Sequence, residues 1–167
     1  MADSTHDHPS AERAAWYAEG LAFECSRCGN CCTGEPGSVR VSEAEARALA
    51  ASEGLTLAQF DALRTRPESS RPMSRSPQRF LREREDGACI YWDAGRGCTV
   101  YALRPRQCRT FPFWRGIVAS PAHWARAAEA CPGIGQGARH SSDDIQAALA
   151  NDGTSGWIPP LDDLRQE

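Results

Sequence analysis

Eight cysteines are the residues through which this 167-residue chain could carry out chemistry, and four of them lie within eight residues. These four are Cys25, Cys28, Cys31 and Cys32, so two C-x-x-C steps overlap and a fourth cysteine follows directly. A C-x-x-C turn directs two sulfur atoms at one centre, and a third sulfur at the same step continues the wrap, as in loops that hold a cubane cluster. Gly29 and Gly34 permit the positive-φ turns that such a wrap needs. The pattern predicts thiolate ligation of a metal ion or cluster.

The other four cysteines are spread along the next hundred residues, at Cys89, Cys98, Cys108 and Cys131. Eight thiolates divide into two four-sulfur sites, and the sequence leaves open which cysteines share a site and whether the metal is iron or zinc. Because adjacent cysteines tend to point apart, we expect Cys31 and Cys32 to serve different sites or to hold a bridging cluster. A zinc ribbon fits poorly, since it needs two separate C-x-x-C knuckles. The competing interpretation is a metal that only holds the fold together, which can supply about 10–16 kcal/mol.

Two arginines near Cys108 are predicted to contribute to cofactor binding, namely Arg104 and Arg109. A guanidinium group beside a cysteine favours the thiolate and offsets the charge of a thiolate-ligated centre. The aromatic residues Phe111, Phe113 and Trp114 follow, either to exclude water from a cluster or as ordinary core. After Cys131, a glycine-rich loop offers backbone amides to sulfur.

Other chemistry is less well supported, and we assign no catalytic residues. His123 and His140 could each replace a cysteine ligand, but no Ser-His-Asp arrangement is apparent. All 19 basic residues are arginine, which excludes a Schiff-base or P-loop lysine. Seven of them lie between Arg64 and Arg84 in a proline- and serine-rich stretch. A nucleic-acid patch is one interpretation of it, and the net charge of −3 favours a solvated loop instead.

The ordered set of motifs resembles the YkgJ-like cysteine-cluster family over about residues 21–137. The motifs are Phe23-x-Cys25-x-x-Cys28-Gly29-x-Cys31-Cys32, Cys89, Cys98-x-Val100-Tyr101, Arg104-Pro105-x-x-Cys108-Arg109-x-Phe111-Pro112-Phe113 and Cys131-Pro132-Gly133. All eight cysteine positions of the pattern are present. The resemblance implies zinc or iron chelation. Members are often labelled iron–sulfur oxidoreductases, but the resemblance implies little about a reaction, so whether this chain is an enzyme stays open.

The elements that must position the cysteines are short. Ser42–Glu45 and Thr56–Gln59 match capping boxes and predict two helices, the first ending at Gly54 and the second with Phe60 and Leu63 on one side. Further helices are predicted over Ser10–Gly20 and near Asp143–Leu149. Strands are predicted at Val39–Val41 and, as a meander, at Phe80–Arg82, Cys89–Trp92 and Cys98–Tyr101. The predicted fold class is α+β, a small irregular metal-stapled domain with short helices and a small antiparallel β-meander.

We divide the chain into an N-terminal segment with a short helix at 1–20, a cysteine-cluster domain at 21–137 and a polar tail at 138–167. Within the domain, residues 64–79 form an Arg/Pro/Ser-rich loop. No apolar run approaches the roughly 18 residues of a membrane span. The polar start argues against a signal peptide and predicts a cytoplasmic protein. The expected partner is a metal ion or cluster, without membrane or nucleic acid, and the sequence names no protein partner.

Overall fold

Short helices and small antiparallel sheets make up the part of the chain that the structure, a computed structural model, describes: residues 15–33, 37–67 and 79–153. The helices are α1 (Glu43–Ser52), α2 (Leu57–Arg64), α3 (Arg106–Thr110), α4 (Pro121–Ala130) and α5 (Ser142–Ala150), with a 3-10 helix at Tyr101–Leu103. The strands are β1 (Leu21–Phe23), β2 (Arg40–Val41), β3 (Thr65–Pro67), β4 (Arg79–Leu81), β5 (Trp92–Asp93), β6 (Gly97–Cys98) and β7 (Ile134–His140). The predicted α+β class is confirmed. Among these helices, none is long and apolar enough to cross a membrane.

Both predicted capping boxes are present. The Ser42 hydroxyl accepts from the Glu45 amide while the Glu45 carboxylate accepts from the Ser42 amide, and Thr56 and Gln59 do the same for α2. The helix predicted near Asp143–Leu149 is α5, which has a third capping box. Phe60 and Leu63 lie three residues apart on α2 and so on neighbouring turns of one side, but Phe60 is fully buried whereas Leu63 is 49% exposed.

The strands pair differently from the predicted meander. The strand predicted at Phe80–Arg82 is β4, but it lies between β2 and β3 in an antiparallel sheet. Cys89 forms only a single bridge with Glu83, and β5 pairs with β6 in a separate hairpin. The last predicted strand ends at Cys98, and Tyr101 begins the 3-10 helix. The Asp93 carboxylate accepts from the amides of Gly95 and Arg96, which closes the hairpin after two residues on each side.

Part of the arginine-rich stretch belongs to the sheet rather than to a loop, because β3 pairs with β4 from Thr65 to Pro67. Five of its seven arginines lie in the described part of the chain, and each bonds within the fold. Their partners are Glu53 for Arg64, Glu83 for Arg66, Asp61 for Arg79, the Thr65 carbonyl for Arg82 and Asp86 for Arg84. These arginines hold the sheet and its neighbours together. Arg71 and Arg75 lie outside the described residues, as do residues 10–14 of the first predicted helix, whose remainder forms a turn at 16–19.

Two apolar clusters flank the cysteines. The first joins α1, α2 and β4 around Leu49, Phe60 and Tyr91, and Cys89 packs against it. The second joins β1, the segment around Phe113 and α5 through the fully buried Ile145, and Phe23 packs against it. The antiparallel pair β1–β7 closes the second cluster. Its strand β7 continues past residue 137, where we placed the end of the cysteine-cluster domain from the sequence. The loop at residues 24–33, which carries the first four cysteines, thus starts at the second cluster, and the carbonyl of its last cysteine, Cys32, accepts from the Cys89 amide at the first cluster.

Replacement of Tyr91 by phenylalanine is expected to lower the free energy of unfolding by about 2 kcal/mol, because it removes a hydrogen bond to a charged group. The Tyr91 hydroxyl donates to Glu53 Oε1 over 2.5 Å, and Arg64 binds the other carboxylate oxygen at 2.7 Å. Burial raises the pKa of Tyr91, so the hydroxyl keeps its proton. Urea denaturation measures the loss. Tyr17→Phe is the control, because the Tyr17 hydroxyl accepts from the neutral Gln146 amide rather than bonding to a charged group of the described residues. Equal losses in the two variants would contradict the prediction.

Candidate metal centre

The first cysteine loop, defined as residues 24–33, turns back on itself between β1 and Thr33. Arg27 has a φ of 57° and Gly29 a φ of 85°, both in the left-handed region. The Cys32 amide donates to the Gly29 carbonyl over 2.7 Å, and the Thr33 hydroxyl donates to the same oxygen. The turn predicted at Gly29 is confirmed, and Gly34 lies outside the described residues. A non-glycine residue in this conformation is uncommon and marks a backbone under local strain.

Three hydrogen bonds fasten the loop to segments that carry distant cysteines. The Asn30 amide group donates to the carbonyl of Ala130, the residue before Cys131, over 2.8 Å. The Glu24 amide donates to the Gly133 carbonyl over 3.1 Å. The Cys89 amide donates to the Cys32 carbonyl over 2.8 Å. Backbone contacts therefore bring Cys89 and Cys131 beside a loop that lies far from them in sequence.

Three distant cysteines receive backbone hydrogen bonds from the residue two positions further on. Burial raises the pKa of Cys89, Cys98 and Cys131, and the amides of Tyr91, Val100 and Gly133, respectively, act in the opposite direction. The Ile134 amide donates to the Cys131 carbonyl oxygen over 3.1 Å and also acts to lower the pKa of Cys131. That amides after Cys131 donate to sulfur stays a prediction, and the chain is a strand from Ile134 onward rather than a loop. Such bonds stabilise thiolate, the form that binds metal.

The adjacent cysteines do not point apart, which corrects our expectation. The Sγ atoms of Cys31 and Cys32 lie 3.8 Å from each other. The hydrogen bond from Cys32 lowers the pKa of Cys31 to about 7, and the same bond raises the pKa of Cys32. The turn bonded to the Gly29 carbonyl holds both side chains on one side of the chain.

All eight thiols form one electrostatically connected group. The charge of Cys31 raises the pKa of Cys89, Cys98, Cys108 and Cys131. The charge of Cys25 likewise raises the pKa of Cys98, and the charge of Cys28 raises the pKa of Cys131. Burial is the main cause that raises the pKa of Cys108, to about 12. None of the eight is in a disulfide, and Cys28 and Cys31 are exposed while the other six are half-buried. Cys31 and Cys98 each interact electrostatically with five of the other thiols.

The guanidinium group that faces the thiols belongs to Arg104. Its positive charge lowers the pKa of Cys31, Cys98 and Cys108. Arg104 Cζ lies 3.5 Å from the centre of the Tyr101 ring, and its Nε donates to the Tyr101 carbonyl. Arg27 of the first cysteine loop stacks on the same ring at 4.2 Å. We did not predict this pair of contacts, although residues three apart on a 3-10 helix eclipse each other and could have indicated the first.

Arg109 faces α1 instead. Its Nη2 lies 3.7 Å from Glu45 Oε1, and the Arg106 amide donates to the same carboxylate. Burial raises the pKa of Glu45, but these contacts and the bonds from Ser42 leave it below its ordinary value. The positive charge that we expected beside Cys108 therefore comes from Arg104, and Arg109 holds α3 against α1.

The histidines and aromatic side chains near the cysteines have partners of their own. His123 Nδ1 lies 2.8 Å from the Ser120 hydroxyl, and His140 Nε2 lies 3.1 Å from the Phe23 carbonyl. Phe113 is buried in the second apolar cluster and stacks on Trp124 at 5.9 Å. Phe113 therefore serves as core.

The donors suit zinc or iron by their chemistry. Sulfur-rich ligand sets with backbone amide donors and a nearby cation are those that select zinc or iron–sulfur clusters. Among the described residues, no three His, Cys, Asp or Glu side chains are arranged around a point where one metal ion could sit. The thiols are gathered in one region, and side-chain adjustment is needed for them to close around a metal.

A sequence model of one protein family, CxxCxxCC, matches residues 24–132 and is described as a "putative zinc- or iron-chelating domain". The chain belongs to the CxxCxxCC family. This confirms the resemblance inferred from the motifs and supports metal binding, since the matched region contains all eight cysteines together with Arg104 and Arg109. The CxxCxxCC region begins directly after β1 and ends two residues before β7. No solved structure matches the chain.

Proposed function

We propose that the protein is a cytoplasmic iron–sulfur protein with a redox, sensing or metal-handling role. The proposed ligands are Cys25, Cys28, Cys31, Cys32, Cys89, Cys98, Cys108 and Cys131. The observation that carries the proposal is the 3.8 Å approach of the Cys31 and Cys32 sulfur atoms, which suits metal ions bridged in one region better than two separate mononuclear sites. A reducing compartment keeps eight such thiols available. When bound, an iron–sulfur cluster supplies a centre for one-electron transfer.

The protein's own residues have three tasks in this proposal. Backbone amides stabilise the thiolates of Cys89, Cys98 and Cys131. Arg104 offsets part of the negative charge that several thiolates accumulate. Burial of Cys108 limits the access of water to one side of the group, and the exposed Cys28 and Cys31 leave the other side open to exchange with a partner.

A zinc-stapled interaction module without catalysis is the second candidate. It is favoured by the position of the first cysteine loop, which links the two apolar clusters through the Phe23 packing and the Cys32–Cys89 hydrogen bond. A metal bound there would hold the two clusters together. This candidate predicts that chelation unfolds the protein and that no redox transition is seen by voltammetry.

Anaerobic purification followed by assay of iron, sulfide and zinc separates the two candidates. We expect iron and acid-labile sulfide in stoichiometric amounts, together with the visible absorption of a cluster. A colourless protein that holds stoichiometric zinc without iron would overturn the iron–sulfur proposal and favour the zinc module.

Replacement of Tyr101 by leucine is expected to weaken metal binding about tenfold, because loss of a residue outside the ligand shell typically costs 10–100-fold. The ring positions both Arg104 and Arg27 beside the thiols. Competition with a chelator measures the affinity. Tyr101→Phe keeps the ring and should bind metal as the wild type does. Equal affinity in Tyr101→Leu and Tyr101→Phe would show that the ring has no such positioning role.

A further inference from the structure

A cleft of about 610 Å³ lies on the β5–β6 hairpin and the turn that follows it. Its volume is in the range of sites for small molecules. The end of α1 contributes Glu53, and the hairpin contributes Trp92, Asp93 and Arg96. None of the eight cysteines lines it. The cleft is thus a separate feature from the thiol group.

The hairpin nevertheless joins the cleft to the proposed metal centre. Trp92 lines the cleft and pairs across the hairpin with Cys98. A Cβ atom added at Gly29 would overlap the Trp92 ring, so this side chain also packs on the first cysteine loop. Tyr101 lines the cleft as well, and the guanidinium groups of Arg27 and Arg104 stack on its ring. A molecule in the cleft would therefore lie beside the thiols without touching them.

The acidic groups of the cleft are bound within the fold. Glu53 accepts from the Tyr91 hydroxyl at 2.5 Å and pairs with Arg64 at 2.7 Å. Asp93 accepts from two backbone amides of its own turn, at 3.0 and 2.9 Å. Both carboxylates are thus held in place and have little remaining capacity to bind a cationic ligand.

The basic groups at the cleft are held less firmly. Arg84 donates to the Trp92 carbonyl, but its ion pair with Asp86 has a long N–O distance of 3.5 Å. Arg96 is 76% exposed and reaches Asp93 through one nitrogen at 3.2 Å. Because a guanidinium group has five N–H donors, both arginines retain donors for a ligand. Each of the three arginines of the lining has one carboxylate partner, so an anion would be held by the N–H donors that Arg84 and Arg96 retain.

The cleft has an apolar side in addition. Leu103 lines it and is one of two large hydrophobic side chains exposed in the described part of the chain. Trp92 also lines the cleft and offers an aromatic surface. Apolar walls with a few convergent polar groups are typical of small-molecule sites. A ligand that matches this lining combines a flat apolar body with a carboxylate, which arginine recognises through two parallel hydrogen bonds.

We propose that this cleft binds a small aromatic carboxylate, with its ring against Trp92 and Leu103 and its carboxylate held by Arg84 and Arg96. The inference goes beyond the proposed metal function and does not depend on the identity of the metal. Isothermal titration calorimetry of the purified full-length protein at low ionic strength tests it, with phenylacetate as the probe and phenylacetamide as its uncharged counterpart. We expect millimolar binding of phenylacetate and at least tenfold weaker binding of phenylacetamide. This difference in affinity is about the contribution of one charge-assisted hydrogen bond.

Two single variants and a matched control complete the test. Arg84→Gln and Arg96→Gln should each weaken phenylacetate binding about tenfold. Arg96 is largely exposed, so its replacement should leave the fold intact even if Arg84→Gln does not fold. Arg47→Gln is the control, because Arg47 is also exposed and paired with an acidic side chain but does not line the cleft. Absence of binding at about 20 mM phenylacetate, equal binding of the amide, or unchanged binding in Arg96→Gln would each overturn the proposal. None of these results would alter the outcome of the metal assay.

Discussion

Cys31→Ser is expected to lower the affinity for metal by about 100-fold. A structural metal contributes about 10–16 kcal/mol through four ligands, so one thiolate accounts for about 3 kcal/mol. A serine hydroxyl keeps its proton at neutral pH and offers hard oxygen in place of soft sulfur. Cys31 is chosen because its charge raises the pKa of all four distant cysteines and its sulfur lies 3.8 Å from that of Cys32.

Metal content after anaerobic purification and chelator competition measure this loss. Ser26→Ala is the matched control, because Ser26 is an exposed residue of the same loop and offers no sulfur. It should retain wild-type metal content. A folded Cys31→Ser protein that holds metal as tightly as the Ser26→Ala protein would exclude Cys31 from the ligand set.

Gly133→Ala should destabilise the protein by about 3 kcal/mol, as overpacking of a close backbone contact does. A Cβ atom at Gly133 would overlap the carbonyl oxygen of Glu24 and lie 3.2 Å from the Phe23 ring. The obstructing group is backbone and is held by the bond from the Glu24 amide to the Gly133 carbonyl. The new methyl group can be accommodated only if the start of the first cysteine loop moves away from the segment that carries Cys131.

Urea denaturation of the metal-loaded protein gives the free energy of unfolding for this comparison. Gly116→Ala serves as the control, since a Cβ atom there meets nothing within 4 Å and its φ is not left-handed. Its effect should stay within about 0.5 kcal/mol. If Gly133→Ala were as stable as Gly116→Ala, the close approach of Glu24 and Gly133 would not exist in solution.

Local signals in the sequence were sufficient for α1, α2 and α5, whereas α3 and α4 were not predicted. A hydroxyl followed three residues later by a glutamate or glutamine fixes the start of α1 and α2, because both groups of the capping box belong to one short segment. The left-handed turn at Gly29 follows in the same way from the absence of a side chain. The cysteine spacing was enough to indicate the family.

Contacts between distant segments could not be predicted from local patterns. The pairing of β4 with β2 and β3 depends on a hydrophobic cluster that only the folded chain assembles. Whether Arg104 or Arg109 faces the thiols depends on the direction of each side chain. The Tyr101 ring holds Arg104, and the Glu45 carboxylate holds Arg109. The orientation of Cys31 and Cys32 depends on a turn closed by the Gly29 carbonyl, and no general tendency of adjacent residues foretells it.

The pairing of β1 with β7 also has a consequence for how this domain can be combined with other proteins. Leu21 lies opposite His140, so the chain enters and leaves the cysteine-bearing segment at neighbouring points. A segment with adjacent ends can be inserted into one surface loop of a host protein without pulling its ends apart. It can also be circularly permuted, with the original ends joined and new ends placed in another loop. Residues 21–140 contain all eight thiols, but Tyr17 and Ile145 of the second apolar cluster lie outside this range, so a segment moved into a host must include α5 and the residues just before β1.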